Sequence, residues 1–546
     1  MKKSAFVLSL FLAGVCASNV WPQSADPLAP TLNVKSAEQI DREWQQSVAK
    51  YDGERNRLLA EADKQAHDGE YRPDWATLIK YQQPQWYKDA KFGIFIHWGV
   101  YSVPAAENEW YPRNMYQPKE GAYKNFREHF AKGDESKGYK DLIPLFKAEH
   151  FDAGEWAKVF KESGAQYVVP VAEHHDGFSM YDSGLSDWTV VKMGPKRDTL
   201  GELAKAIRAE GLHFGLSSHR AEHNFFYDGG RAMRSDVNDP KYASLYGPAH
   251  QWFEAGGDDH SLINDWTYVS QAWTNDWLAR DTELVEKYKP EIVYFDWWIG
   301  QPSFRNTVAK FAAFYYNYAA AHGYTGVIDF KDYSLNWKAG VRDFERGQQD
   351  HIIADHWQND TSISDKSWGY IENDTFKSSE FLIHELIDIV SKNGNLLLNF
   401  GPKSDGTIPD EIRERLLAMG SWLKVNGEAI YGTTPWKVYG EGPTKVVGGA
   451  FHDTDTKPYT PEDFRFTAKG DSVYAMGMAC PADGKATIHA LGTGQEGTNF
   501  SVTSVALLGS GEKVTWRQTA DALEITLPAG AACKYAYSLK LTGASK

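Results

Sequence analysis

Several short apolar runs of this chain end in polar residues able to hold or transfer protons. The first ends in His97-Trp98-Gly99, the second in Glu173-His174-His175-Asp176-Gly177 and the third in Ser217-Ser218-His219-Arg220. The fourth ends in Asp296, set between Phe295 and Trp297-Trp298, and a fifth carries Asp329 and Lys331. A single histidine at a strand end is ordinarily a satisfied structural group. Repetition of such residues at equivalent positions argues instead for one shared polar pocket. Asp296, a carboxylate ringed by aromatics, suits the attacking group of glycoside hydrolysis. That reaction needs two carboxyl groups, one to attack or to activate water and one to protonate the departing oxygen. The alternative role of helix cap is not supported, because Trp297-Trp298-Ile299-Gly300 does not read as a helix start.

Metal chemistry is the competing reading. His219-Arg220-Ala221-Glu222-His223 has the H-x-x-E-H spacing of a zinc site, which requires a helix to bring both histidines to one face. Here the motif follows a strand directly and runs into Asn224-Phe225-Phe226. His174 and His175 are adjacent, so their side chains diverge. No metal or other cofactor is expected, and no Gly-rich phosphate loop follows the first strand.

The elements that must position these groups are short apolar runs at 92–98, 167–172, 214–218, 292–298, 326–330 and 396–400. Amphipathic helical patterns at 199–210 and 277–289 lie between them. Strands alternating with helices over roughly 350 residues predict a (β/α) TIM-like barrel, with catalytic residues at the C-terminal strand ends. After Trp436 helical periodicity fades. Short alternating runs at 472–476, 485–490, 501–508, 522–527 and 535–541 predict a β-sandwich domain. The expected division is a signal peptide (1–25), a linker and helical extension (26–75, helical from 37 to 65), the barrel (76–436) and the β-sandwich (437–546).

Composition narrows the partners. The net charge of −15 disfavours nucleic acid. The aromatic share is 14%, with 20 Trp and 29 Tyr; these residues can stack on sugar rings, although core filling is the commoner use. Lys2 and Lys3 followed by an apolar stretch at 5–15 read as an export signal too short to span a bilayer. Ala13-Gly14-Val15 before Cys16 lacks the leucine of a lipidation site, so periplasmic or secreted export without an anchor is expected. Cys480 and Cys533 remain; a bridge and two free thiols are equally compatible with their spacing. No membrane span is expected, and no oligomeric state is assigned.

The segment Trp86-Tyr87-Lys88-Asp89-Ala90-Lys91-Phe92-Gly93-Ile94-Phe95-Ile96-His97-Trp98-Gly99 resembles the opening of the α-L-fucosidases of glycoside hydrolase family 29. So do Asn108-Glu109-Trp110-Tyr111, Lys147-Ala148-Glu149-His150-Phe151-Asp152, His174-His175-Asp176-Gly177-Phe178, Ser367-Trp368-Gly369-Tyr370, Asn393-Gly394-Asn395-Leu396-Leu397-Leu398-Asn399 and Asn426-Gly427-Glu428-Ala429-Ile430-Tyr431. These lie in the family's order across 86–436. The resemblance implies a retaining exo-enzyme that removes terminal α-L-fucose from glycans without a cofactor. It implies Asp296 as nucleophile, after Tyr288-Lys289-Pro290 and a short strand. His97, Glu109, Trp110, His174 and His175 are the implied fucose-binding residues, and Tyr294, Trp297, Arg346 and Trp368 complete the candidate set. Two departures stand out. Ser217 and Ser218 occupy a strand end that often carries Tyr, and Gln358 follows Trp357 where many members carry Glu. An amide cannot serve as acid and base. Glu345 is therefore the candidate acid/base, with Asp329, Asp343 and Glu372 as weaker alternatives. The substitution also keeps open a fucose-binding relative of poor activity, and the family likeness leaves room for an α-L-galactoside hydrolase.

Overall fold

The computed structural model describes residues 35–253, 264–331, 333–495, 498–528 and 533–545. The expected signal segment 1–25, with Cys16, lies outside the described residues. Eight parallel strands close into a barrel in sequence order: β1 (Phe92–Ile96), β2 (Tyr167–Glu173), β3 (His213–Ser218), β4 (Ile292–Phe295), β5 (Val327–Lys331), β6 (Val341–Glu345), β7 (Trp357–Ser362) and β8 (Gly394–Phe400), which returns to β1. The expected TIM-like barrel is thus present. The six apolar runs supply six of its strands. β6 and β7 are additional, and both are polar in sequence.

Two long helices precede the barrel, α1 (Ala37–Val48) and α2 (Asp52–Asp68). Around it run α3 (Ala153–Glu162), α4 (Thr199–Ala209), α5 (Gln271–Tyr288), α6 (Arg305–Ala321), α7 (Ser379–Ser391) and α8 (Asp410–Asn426). Four begin at side-chain caps that satisfy first-turn N–H groups: Asp152, Asp198, Ser270 and Ser378. Among the described residues no α-helix separates β5 from β6 or β6 from β7. On the α5–α6 side, α1 and α2 cover the barrel helices. Trp44 packs on Trp273 at 5.1 Å, and Arg55 pairs with the buried Asp276 at 3.0 Å.

The barrel floor is a polar plug. Gln358 Oε1 accepts from Tyr87 at 2.8 Å and Tyr167 at 2.9 Å, while its amide donates to Asp343 at 2.8 Å and Asp329 at 3.2 Å. Every polar atom of the Gln358 side chain therefore has a partner, as a fully buried amide requires.

Two antiparallel sheets follow. One has the order β13-β16-β11-β10-β9, from β9 (Thr434–Glu441), β10 (Phe464–Lys469), β11 (Ser472–Gly477), β13 (Phe500–Leu507) and β16 (Tyr537–Ser545); the other has the order β12-β15-β14, from β12 (Lys485–Ile488), β14 (Thr515–Gln518) and β15 (Leu523–Thr526). They enclose a core that includes Phe464, Phe466, Ile488 and Leu539. Cys480 and Cys533 are bridged, with Cα atoms 5.8 Å apart. The sheets lean on α7 and α8. Trp422 Nε1 donates to the Ala536 carbonyl at 2.8 Å. Asp388 of α7, fully buried, holds both Lys392 and Arg465 of β10 at 2.6 Å.

Removing one member of a buried ion cluster leaves the others uncompensated. Arg465→Ala is expected to destabilise the protein by about 3 kcal/mol, read as a lower denaturation midpoint; a variant as stable as the wild type would show that Arg465 does not clamp the two parts together.

Candidate active site

The pocket opens at the C-terminal ends of the strands, the side on which barrel enzymes do chemistry. Asp296, Glu345 and all of the expected sugar-binding residues except Arg346 line one cavity of about 260 Å³. Arg346 stands behind it, its guanidinium 4.9 Å from the Trp368 ring centre. Sequence reasoning did not assign six further lining groups: Phe95, His219, Trp252, Trp298, Asp360 and Phe451.

The histidines are held by a buried ion network at the ends of β2 and β3. Glu173, immediately before His174 and His175, accepts from Arg220 at 2.7 Å and Arg280 at 2.9 Å. Arg220, immediately after His219, also reaches Asp276 of α5 at 2.8 Å. Two strand ends and one helix are thereby locked at the level of the pocket. His219 lies where the family likeness put a tyrosine in doubt. Its Nδ1 lies 3.1 Å from Asp296 Oδ2 and its Nε2 3.1 Å from Ser217 Oγ. Nε2 accepting from the serine and Nδ1 donating to the aspartate satisfy both contacts.

Other groups present polar atoms to the cavity. Asn399 donates its amide to Ser362 Oγ at 3.0 Å and the Trp368 carbonyl at 2.8 Å, so its Oδ1 accepts from His97 Nδ1 at 2.7 Å. The His97 Nε2 lone pair is then available to a hydroxyl donor, and burial pushes the ring pKa down to about 3. Among the described residues, buried His174 Nδ1 has no hydrogen-bond partner, a cost that a bound hydroxyl removes. Glu109 is oriented by the Ser367-Trp368 segment, accepting from Trp368 N at 2.8 Å and Ser367 Oγ at 3.2 Å.

Asp296 and Glu345 have opposite surroundings. Burial alone would raise the Asp296 pKa, but the His219 hydrogen bond, the neighbouring His175 and the Lys331 charge outweigh it and hold the group ionised. Glu345 is pushed up to about 7, first by burial and then by the Asp360 and Asp296 charges, against the opposing pull of Lys331. Its Oε2 accepts from Trp297 Nε1 at 2.5 Å and lies 3.5 Å from Lys331 Nζ. Lys331 is held by Asp343 at 2.7 Å and Asp360 at 2.6 Å, and Tyr294 OH donates to Asp360 at 2.9 Å.

The position of Gln358 corrects the sequence argument. Along β7 successive side chains alternate, so Gln358, Asp360 and Ser362 share the lumen face at rising height. Gln358 belongs to the floor, and Asp360 is the β7 residue that lines the pocket. Asp329 and Asp343 belong to the floor and the Lys331 cluster, and none of the three weaker candidates, Glu372 included, lines the cavity.

Two buried groups have donor atoms close enough for a metal: His97, His174 and His219; and His175, His219, Glu222 and Asp296. The H-x-x-E-H spacing does not produce them. It forms a short 3-10 helix, and His223 turns away, with Nδ1 2.8 Å from the His175 carbonyl. Glu222 instead supports His175, whose Nδ1 lies 2.7 Å away. Burial, and then the Asp296 charge, raise the Glu222 pKa well above the carboxylate range.

A closed parallel barrel that gathers carboxyls of opposed pKa shift among aromatic walls at its strand ends fits a glycoside hydrolase. The α-L-fucosidase family model matches residues 58–428, and the model of the α-L-fucosidase C-terminal domain matches 457–542. The tissue α-L-fucosidase of Rattus norvegicus is 33% identical over 471 residues, covering 84% of this chain and 88% of that protein. The plasma α-L-fucosidase of Homo sapiens is 33% identical over 494 residues, covering 86% and 92%. The crystal structure of the Thermotoga maritima α-fucosidase with a mechanism-based inhibitor superposes with a TM-score of 0.68 at 29% identity, covering 86% of this chain and all of that one. The chain belongs to the α-L-fucosidase family.

The Glu173 network should be required for the histidine cluster. Glu173→Gln leaves Arg220 and Arg280 under-neutralised in a buried site and is expected to cost about 3 kcal/mol of stability in denaturant unfolding; an unchanged midpoint would contradict that role.

Proposed function

We propose that the protein is an exported, retaining exo-α-L-fucosidase, with Asp296 as nucleophile and Glu345 as acid/base. The observation that carries this reading is a contrast among the four carboxyls that line the cavity, Glu109, Asp296, Glu345 and Asp360: Glu109 is tied to the Ser367-Trp368 segment and Asp360 to Lys331, whereas Asp296 is held ionised and Glu345 is pushed up to about 7. Such a separation assigns the roles of attacker and proton donor. Asp296 attacks the anomeric carbon while Glu345 gives its proton to the departing oxygen. A glycosyl-enzyme forms. Glu345, now a carboxylate, takes a proton from water, which displaces Asp296 and releases the sugar with its configuration retained.

An exo mode is supported by the size of the cavity, about 260 Å³, which suits a single terminal sugar. His97, His174 and Glu109 suit ring hydroxyls, and Trp110, Trp298 and Phe95 offer apolar surface to the methyl group of a 6-deoxy sugar. The reading as a binding protein of poor activity rested on Gln358, which belongs to the floor. Export is supported by the basic and apolar start of the chain and by the Cys480–Cys533 bridge, which suits an oxidising compartment.

Asp296→Asn should lower kcat on an aryl α-L-fucoside by at least about a thousandfold; a variant with wild-type rate refutes the nucleophile. Because Glu345 must carry its proton, kcat/KM should fall as pH rises through about 7. The apparent midpoint belongs to the coupled carboxyls together. Glu345→Gln should lose this alkaline limb and slow poor leaving groups by about 10²–10⁴. An alkaline limb that persists in the variant assigns the acid elsewhere.

A further inference from the structure

Phe451 lies far along the chain from the other lining residues, in the segment joining β9 to β10, and yet it lines the catalytic cavity. It is 53% exposed, among the most exposed large apolar residues of the described chain. Its φ of +61° is a left-handed conformation that a residue with a β-carbon adopts only when its surroundings impose it.

The anchoring contacts run to the end of β6, to the loop after it and to β7. Phe451 N donates to the Glu345 carbonyl at 2.8 Å, and Asp453 N donates to the Arg346 carbonyl at 2.8 Å. Gln348 and Gly449 exchange backbone hydrogen bonds at 3.2 and 2.8 Å. The Asp453 carboxylate sits on Lys377 at 2.6 Å and Thr361 at 2.7 Å, beside β7. A strap from the C-terminal part of the chain is thus tied to the strand end that bears Glu345, over the stretch of barrel where no outer helix intervenes. It holds the Phe451 ring nearly parallel to Trp297, at 14° and 6.3 Å between centres. The Trp297 indole in turn donates to the Glu345 carboxyl.

We propose that Trp297 and Phe451 form a subsite for the sugar on the leaving side, a pyranose that presents an apolar C–H face to the two rings. The inference rests on the fucosidase reading and on Glu345 as proton donor. The proton goes to the glycosidic oxygen, so the group attached to that oxygen must lie beside Glu345. Trp297 meets that carboxyl through its indole N–H, and the Phe451 ring lies against Trp297 in the same cavity, its backbone tied to Glu345. An exposed, strained and doubly anchored aromatic at that point has no core to fill. A pyranose face is the surface it meets when a fucosylated glycan enters. Leaving-group preference would then be set by the C-terminal strap, while fucose itself is held by the barrel.

The test compares α-L-fucosyl fluoride, which carries no sugar on the leaving side, with an α-L-fucosyl-galactose disaccharide, using the full-length protein. Phe451→Ala is expected to lower the ratio of kcat/KM for the disaccharide to that for the fluoride by about tenfold, mainly through KM, with Phe451→Tyr restoring the ratio. An unchanged ratio in Phe451→Ala overturns the subsite, whether both substrates slow together or neither does. A wild type that turns over neither substrate overturns the fucosidase reading and the subsite with it.

Discussion

The site depends on a single buried ammonium. Lys331, 1% exposed, stands in the barrel lumen at the end of β5. Burial would strip its proton, but Asp343, Asp360 and Glu345 lie around it and hold it charged. One positive charge cannot neutralise three carboxylates in so small a volume. All three carboxyls are accordingly pushed up, chiefly by burial, and Glu345, the most exposed of them, rises to about 7. Asp296 feels the same lysine but also has donors from the histidine cluster, and so it ionises. The acid and the nucleophile are separated by which additional partners each carboxyl has.

That arrangement explains why so much of the structure outside the pocket is ionic. His175 and His219 can serve Asp296 only if the ends of β2 and β3 hold their places. The Glu173–Arg220–Asp276–Arg280 network does this from behind the strands, and Arg55 extends it to the N-terminal helices. Buried ion networks are weak contributors to stability compared with apolar packing. Here the network imposes geometry on groups that must meet a small sugar within hydrogen-bond distance.

The parts of this design that were legible in the sequence are those where hydrophobic pattern and chemistry coincide. β1 and β4 are apolar runs with His97 and Asp296 at or just beyond their ends, so both the strand and its catalytic end could be read. β6 and β7 could not be read as strands. Their sequences, Val341–Glu345 and Trp357–Ser362, alternate toward a lumen that is itself polar, and all six residues of β7 are buried. Periodicity reports apolar faces and is silent where the buried face is built of Asp343, Gln358 and Asp360. Glu345 was found through its neighbourhood in the chain and Asp360 was missed, although the two stand opposite each other in register. Phe451 had no local signal, because nothing near it in sequence shows which strand end its loop meets.

Gln358 shows how a motif can mislead when the height along a strand is not considered. One residue after Trp357 is near the bottom of β7, and a carboxylate there would face Asp329, Asp343 and two tyrosines with no pocket above it. An amide is better suited to that place. It accepts from both tyrosines while donating to both aspartates, a pattern an ionised carboxylate, which only accepts, cannot reproduce. The Asp329 pKa, pushed up to about 8 chiefly by burial, indicates how little negative charge the floor tolerates. A neutral floor and a charged rim are then requirements of the same barrel. The floor closes the lumen without adding to the charge that Lys331 must balance, and the balance left over keeps the proton on Glu345.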